Sequence, residues 1–347
     1  MTMLPEPGVP SADPDPAVEA SKPGETVGLS QGRLILRRFL GHKLALISIS
    51  LFVLVAALGL SSIGFGPVPG WWSKTPNSLY PLRDGGQPTL SLIPFKMGEH
   101  PFGQDGIGRD YFAMCMRGIQ NSLLVIFVIG ILTTVIGSVI GALSGYYRGW
   151  VDSVLMRFTD LILVIPVLVL AAVIGKGLGA EGALLLSLFM GLVLWTGMAR
   201  LVRAEFFSLR EREFVDAARV AGASSLRIIF KHIYPNAIGV VIVSATLLMS
   251  AAMLLEVALS FLGLGIQAPD VSLGKLISDN QTAFNARPWL FWWPGLFIIL
   301  IALSINFIGD GLRDAFDPRQ SKFNPRKTKD PQKPIGDVSW ANPGIGS

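Results

Sequence analysis

Apolar stretches long enough to cross a lipid bilayer dominate this chain. One of them runs from Gly118 to Tyr147 without a charged residue, and about twenty apolar residues span the hydrocarbon core as an α-helix. Only 15% of the 347 residues are charged, against about 25% in average soluble domains. The backbone must satisfy its own hydrogen bonds in lipid, so such stretches form helices. The sequence therefore predicts an all-α polytopic membrane protein rather than a soluble enzyme.

Six segments have the length and polarity of a transmembrane helix. The third carries Asp160 near its start and Pro166 in its interior, where a proline kinks a helix. Only a short glycine-rich turn separates the third segment from the fourth. The predicted spans are roughly residues 44–63, 121–146, 154–175, 183–199, 237–255 (with an extension to 264) and 289–308.

The basic residues predict the orientation. Loops on the cytoplasmic side carry an excess of Lys and Arg, and an inside N-terminus puts most of the 29 Lys and Arg residues on that side. The loop at 200–231 holds more of them than any outer loop of similar length. Trp289, Trp292 and Trp293 then form an aromatic belt at the outer start of span six. We expect six spans with both termini in the cytoplasm.

Polar segments flank the predicted helical core. Residues 1–32 are rich in Pro, Gly, Ser, Glu and Asp, a composition typical of a disordered tail. Residues 319–347 form a second, basic tail, whose charge suits lipid headgroups and whose lack of interleaved aromatics argues against nucleic-acid binding. Between the tails we expect an amphipathic segment and first span at 33–64, an extracytoplasmic loop at 65–118, and a five-helix core at 119–318 with a cytoplasmic loop at 205–235.

The sequence contains no evident motif for nucleotide, metal or hydrolytic chemistry. The single cysteine, Cys115, excludes an internal disulfide and a cysteine-based zinc site. The three histidines, His42, His100 and His232, lie far apart in the chain. A membrane-embedded enzyme would need convergent His, Asp or Glu residues, and a secondary carrier often shows internal repeats. Neither pattern is evident, so we expect no catalytic residue, metal or cofactor on this chain.

The charged stretch EFVDAARVAGASSLRIIFKHIYPNA, residues 213–237, begins with a predicted amphipathic helix. Phe214, Ala217, Ala218 and Ala221 share one face by their i, i+3, i+4, i+7 spacing. On the other side, Asp216 can pair with Arg212 or Arg219. Small side chains on the first face would let another backbone approach closely.

A glycine corner and a second helix follow. Gly222 stands where a glycine commonly ends a helix, and Ser224 can cap the next one. We expect Leu226, Ile229, Phe230 and Ile233 on one face, Arg227 and Lys231 opposite, and Pro235 to limit the length of this helix. The pattern alone leaves two alternatives open, a helix pair anchored at the membrane surface and a docking site for a cytoplasmic partner.

Two strings in this stretch carry a family resemblance. DAARVAG (216–222) followed by HIYPN (232–236) resembles the EAA loop of ATP-binding-cassette (ABC) importer permeases. Asp216 stands where that family usually has Glu, and Tyr234 where it usually has Leu. Further segments resemble the dipeptide/oligopeptide branch, in an order that suits its second, C-type permease. They are RRFLGHKLA (37–45), HPFGQDGIGRDYF (100–112), GYYRGWVDSVLMRFTD (145–160), ARLVRAEFFSLREREFVDAAR (199–219), ALSFLGLGIQAP (258–269) and GDGLRDAFDP (309–318).

The resemblance implies a type I ABC importer permease in a prokaryotic cell membrane. It implies a B-type second permease, two ATPase subunits or a fused pair that hold the ATP and Mg, and an extracytoplasmic binding protein. Its loop is the coupling helix, which docks in a groove of the ATPase. The cargo of this branch includes peptides, nickel complexes, glutathione and haem-like molecules. Carried over to this chain, the coupling residues are Glu213, Asp216, Ala217, Ala218, Ala221, Gly222, Ser224, Arg227, Tyr234 and Pro235.

Two further groups of residues are candidates with open alternatives. The loop before span two either packs to fix where that span begins or contacts the binding protein or second permease. Its candidate residues are His100, Gly103, Asp105, Gly108, Arg109 and Asp110. Glu256, inside span five, either faces the permease interface or translocation path or makes a structural hydrogen bond. For Asp160 we expect a local pair with Arg157.

Overall fold

The computed structural model describes residues 31–178 and 182–317. The predicted tails therefore lie outside the described residues, apart from Gln31 and Gly32, which belong to the first helix. The α-helices of the described part are α1 (Gln31–Leu40), α2 (Lys43–Ser62), α3 (Tyr111–Tyr147), α4 (Gly149–Val164), α5 (Val167–Leu178), α6 (Ala183–Arg210), α7 (Glu213–Val220), α8 (Ser225–Arg227), α9 (Tyr234–Phe261), α10 (Leu273–Asp279) and α11 (Trp289–Phe316).

Short elements fill the connections between these helices. The outer segment between α2 and α3 contains two antiparallel hairpins, β1 (Gly64–Phe65) with β2 (Val68–Pro69) and β3 (Ser91–Leu92) with β4 (Phe95–Lys96). Two 3-10 turns occur at Asp84–Gly86 and Gln281–Ala283, and a π-helical segment at Ile228–Ile233 joins α8 to α9. The fold of the described residues is thus helical, as predicted.

Five helical stretches of the described chain are long and apolar enough to cross a membrane, and the pair α4–α5 raises the number to six if it counts as one span. This pair bends by 73°. The bend falls at Pro166, between the end of α4 at Val164 and the start of α5 at Val167. This bend confirms the predicted break. Proline lacks the backbone N–H that would continue the hydrogen bonding of the helix.

Several helices extend beyond their predicted ends. The α3 helix begins at Tyr111, ten residues before the predicted 121, and α6 continues to Arg210 rather than 199. The added turns carry polar and charged residues, so hydropathy marks only the lipid-buried part of each helix. These extensions carry the helix ends to the loops that hold the candidate site.

The helices α3 and α6 pack at very short range. A Cβ atom on Gly137 would lie 2.6 Å from the Met198 side chain, and one on Gly145 would lie 2.6 Å from Phe206. Between them, a Cβ on Gly141 would lie 2.5 Å from the carbonyl oxygen of Ala199. The three glycines recur every four residues, which places them on one helix face. Small residues at this spacing are the usual means of close helix packing in membranes.

We predict that Gly141→Ala destabilises the chain by about 1–3 kcal/mol, because the new methyl group meets backbone rather than a movable side chain. The measurement is thermal denaturation of the purified chain in lipid nanodiscs. Gly197→Ala, on the partner helix α6 and with open space around the added atom, is the matched control and should leave the melting temperature unchanged. Equal melting temperatures for both variants would contradict the close-packing account.

Candidate functional site

The helix α7 follows α6 after two residues and divides its side chains between a buried and an exposed side. Val215 and Ala218 are buried, whereas Phe214, Ala217 and Ala221 are exposed. The face predicted from spacing is therefore split, because Ala218 packs inward while the other three members remain open. The exposed part, which we call the alanine face (Phe214, Ala217 and Ala221), has no covering element in the described chain.

The turn at Gly222 has the geometry that the sequence predicts. Gly222 has φ +77°, a conformation in which glycine has no steric penalty. Its N–H donates to the carbonyl of Arg219 at 2.9 Å, and the Ala223 N–H donates to the carbonyl of Ala218 at 3.0 Å. This pair of bonds is a Schellman motif. It satisfies the last carbonyls of α7 and turns the chain sharply.

The second half of the loop differs from the prediction. Ser224 occupies the cap position of α8, but its side chain makes no capping hydrogen bond. The α8 helix is a single turn, and the chain continues as the π-helical segment. Each π turn holds one residue more than an α turn, so the buried set becomes Ile228, Ile229 and Ile233.

The expected face of α8 is therefore wrong in part. Leu226 and Phe230, each 58% exposed, point away from the core although α-helical spacing places them with Ile229 and Ile233. Arg227 and Lys231 are exposed, as expected. The sequence has no clear signal for the π segment.

The expectation for Pro235 is wrong. Pro235 lies in the first turn of α9, and α8, the π segment and α9 form one continuous helical stretch, Ser225–Phe261. The proline removes one backbone N–H from this stretch, and the π segment, whose turns are wider than those of an α-helix, ends two residues before it. The Asn236 side chain donates to the His232 carbonyl at 2.6 Å, just beside the proline. The loop thus runs directly into span five without a break.

A single apolar cluster attaches α7 to the membrane helices. It contains buried residues of α3, α6, α7, the π segment and α9, and we call it the inner cluster. Its members are Ala142, Tyr146, Met198, Val202, Phe206, Val215, Ala218, Ile228, Ile229, Ile233, Ala237 and Val241. Because α7 contributes to the same core as three long helices, its position is fixed relative to them.

The charged residues of the loop lie on its surface. Asp216 pairs with Arg219, with 2.9 Å between Oδ1 and Nη1, which confirms one of the two predicted partners. Glu213 is exposed at the start of α7, where a carboxylate is favourable for the helix dipole. Tyr234 is half-buried, with its ring 6.5 Å from that of Phe230. None of these contacts involves a residue of the alanine face.

At the outer end of the bundle, Asp110 organises the start of α3. Its Oδ2 accepts from the Ala113 N–H at 3.0 Å and from Trp72 Nε1 at 2.8 Å. His100 Nδ1 lies 2.7 Å from Asp110 Oδ1, and His100 Nε2 lies 2.9 Å from Lys74 Nζ. Both Asp110 and His100 are buried. This geometry favours the packed-loop alternative for the two residues.

Asp105 closes the turn between them. Its carboxylate accepts from the Ile107 N–H at 3.1 Å, the Arg109 N–H at 2.8 Å and Arg109 Nε at 2.6 Å. Gly103 and Gly108 have positive φ. A Cβ added to either glycine would lie within 2.5 Å of a backbone oxygen from a neighbouring segment. The loop is thus built around its own hydrogen bonds, and Arg109 and Ile107 remain partly or largely exposed beside a cavity of about 410 Å³.

Glu256 is 3% exposed and lies between α9 and α3. Its carboxylate accepts from Ser260 at 2.7 Å and from Ser122 at 3.3 Å. The side chain therefore does not reach a surface of the described chain in this conformation. The geometry favours the structural hydrogen bond among the alternatives for Glu256.

A second polar contact near Glu256 was not predicted. Asp270, after α9, accepts from Arg117 Nε at 2.9 Å and from Asn121 Nδ2 at 2.8 Å, both on α3. Together with Glu256 it fixes the outer end of α9 to α3. Asp160 also differs from expectation, because it pairs with Arg200 of α6 rather than with Arg157.

The comparisons with known proteins decide the family. The family model described as binding-protein-dependent transport system inner membrane component matches residues 137–322, which include the whole loop described above. The chain belongs to this family. These permeases are multi-pass membrane proteins, and the helices of the described chain agree with that. Among the described residues, no group of three or more His, Cys, Asp or Glu side chains could hold a metal ion.

Individual relatives cover most of the permease. The oligopeptide transport system permease protein OppC of Mycobacterium tuberculosis is 38% identical over 290 residues, 83% of this chain and 95% of that protein. OppC of Haemophilus influenzae is 37% identical over 287 residues, 82% of this chain and 87% of that protein. Among solved structures, a chain of the MetNI methionine ABC transporter in an inward-facing conformation matches with a TM-score of 0.46 and 18% identity, over 59% of this chain and 96% of that chain.

We predict that Gly222→Val displaces α7 while leaving the membrane helices inserted. No atom lies within 4 Å of an added Cβ, so the cost comes from the positive φ alone, on the order of 1–3 kcal/mol. Gly222→Asn is the matched control, because asparagine tolerates this conformation. Transport by the assembled complex in vesicles should fall sharply for valine, should stay near wild type for asparagine, and should fall only mildly for Gly222→Ala. Wild-type transport by the valine variant would refute the role of this turn.

Proposed function

We propose that this chain is the C-type permease subunit of an ATP-driven importer for di- and oligopeptides in a prokaryotic cell membrane. The observation that carries the proposal is the alanine face on α7, which is exposed while Val215 and Ala218 anchor the same helix in the inner cluster. A helix that is rigidly attached on one side and open on the other suits docking to a partner that moves. The names of the OppC relatives support a peptide cargo.

The proposed complex divides its work among several chains. A second, B-type permease shares the translocation path, two ATPase subunits or a fused pair bind ATP and Mg, and an extracytoplasmic binding protein delivers the substrate. This chain itself neither binds nor hydrolyses ATP. Its contribution is conformational, because ATPase closure biases an equilibrium between two arrangements of the membrane helices.

The path of the coupling follows from the contacts of α7. A displacement of α7 acts on α6 through the two-residue connection at Arg210–Glu213. It acts on α9 through Val215 and Ala218, which pack with Ile228, Ile229 and Ile233 in the inner cluster. A partner that binds the alanine face can therefore displace both α6 and α9.

Reconstitution of the complete assembly tests the function. We expect ATP hydrolysis only when the ATPase subunits are present, and uptake of radiolabelled oligopeptides into vesicles only when the binding protein is added. Nickel complexes, glutathione and haem are the competing cargoes, and uptake of one of these without peptide uptake would replace the peptide assignment. Hydrolysis by the purified chain alone would refute the permease role.

We predict that Ala217→Trp releases the ATPase subunits, because an indole ring at the centre of the alanine face prevents close approach. Ala217→Ser keeps a small side chain and is the matched control. Co-purification of the ATPases should fall at least tenfold for tryptophan, which corresponds to about 1.4 kcal/mol, and should be unchanged for serine. Equal co-purification for both variants would place the docking surface elsewhere.

The orientation has its own test. Single cysteines at Ser78, in the outer loop, and Ser225, at the start of α8, are introduced into a background in which the buried Cys115 is replaced. In intact cells, a membrane-impermeant thiol reagent should label the cysteine at 78 and not the one at 225. Efficient labelling at 225 from outside would overturn both the orientation and the coupling role.

A further inference from the structure

A groove of about 770 Å³ lies between α1, α9 and the end of α11. It is at the same end of the bundle as α7, since Pro235 at the base of α9 is one of its lining residues. Its walls are largely apolar and include Ile238, Val243, Leu247 and Phe316. The inner cluster and the alanine face do not include these residues, so the groove is a separate feature.

The groove has the length of one bilayer leaflet. Along α9 its lining extends from Pro235 to Leu247, a rise of about 18 Å at 1.5 Å per residue. Half of a hydrocarbon core about 30 Å thick is about 15 Å. An acyl chain that enters beside Pro235 could therefore lie along α9 down to the middle of the bilayer.

Positive charge is concentrated at the shallow end of the groove. Arg38 of α1 and Arg313 of α11 both line it there. Arg38 Nη1 donates to the backbone carbonyl of Asp317 at 3.2 Å, which holds its guanidinium at the mouth. Asp317 also lines the groove, so its charged lining consists of two arginines and one aspartate. The deep end around Val243 and Leu247 has no charged lining residue.

We propose that this groove binds one acidic phospholipid, with its phosphate between Arg38 and Arg313 and an acyl chain along α9. The two arginines match the phosphate of such a lipid, and the apolar wall along α9 matches its acyl chain. The chain's own tails fit less well. Residues 318–347 contain further Lys and Arg residues, which would be repelled by the two arginines of the groove. Residues 1–30 contain few large apolar side chains that could fill the groove.

An occupied groove would brace the base of α9 against α1 and α11. Gly239 of α9 already lies against the Phe316 ring, where an added Cβ would be 2.7 Å from the ring. The lipid extends this contact along α9, the helix that continues from the π segment. Acidic lipid should therefore affect the coupling helices without contacting α7.

Photo-crosslinking identifies the occupant directly. The complete complex carries p-benzoylphenylalanine in place of Val243, is irradiated in native membranes and is analysed by mass spectrometry. We expect an adduct with the mass of an acidic phospholipid. Crosslinks to residues 1–30, to residues 318–347 or to the second permease would overturn the proposal.

The selectivity of the groove is tested with charge variants in nanodiscs. The nanodiscs contain phosphatidylglycerol and phosphatidylcholine, and spin-labelled forms of each report the immobilised fraction. Arg38→Gln with Arg313→Gln should lower the preference for phosphatidylglycerol about fivefold per arginine removed. The control pair Arg33→Gln with Arg37→Gln removes the same charge from exposed positions of α1 outside the groove. An equal loss in the control pair, or no preference in the unmodified complex, would overturn the proposal.

Discussion

The close contact between α3 and α6 is the constraint on which the rest of this permease depends. Lipid tails are as apolar as the side chains that meet them, so helices in a membrane hold together through close packing. Gly137, Gly141 and Gly145 allow that packing because α3 has no side chain at these three positions. Because α6 is held in this way, the helix α7 at its end begins from a fixed point. The alanine face is therefore presented by the membrane core rather than by a free loop.

The helix α9 is held at both ends, which shapes its response to α7. Its outer end is joined to α3 by the Glu256–Ser122 bond and by Asp270, which accepts from Arg117 and Asn121. Its inner end continues into the π segment and shares the inner cluster with α7. A shift of α7 must therefore be taken up between these two attachments. The π segment forms part of the inner attachment, and π turns inside α-helical stretches are frequent at functional sites.

The features that could be predicted from the sequence are those with a local cause, and the features that could not depend on tertiary packing. The spans, the break at Pro166 and the turn at Gly222 were predictable because hydropathy, a missing N–H and a helix-ending glycine act locally. The π segment was not, because its extra residue per turn depends on how Ile228, Ile229 and Ile233 fit against α3 and α6. The ion-pair partner of a charged residue also could not be predicted from the sequence. Asp160 has Arg157 one turn away in sequence, yet it pairs with Arg200 across the packed helices.

The length of α3 explains why several hydrogen bonds hold its outer end in place. With 37 residues it extends about 55 Å, which exceeds the roughly 40–45 Å of a bilayer with its headgroups. Its ends must therefore be positioned by protein contacts rather than by the membrane alone. Asp110 sets the outer end through three partners, Trp72, His100 and the Ala113 N–H of the helix it caps, while Tyr146 joins the inner cluster at the other end. On a rigid helix, the point where the first turn begins fixes the height of Gly141 against Ala199. The buried outer loop and the exposed helix α7 thus depend on the same requirement, which is that α3 and its glycines hold α6 at a fixed height.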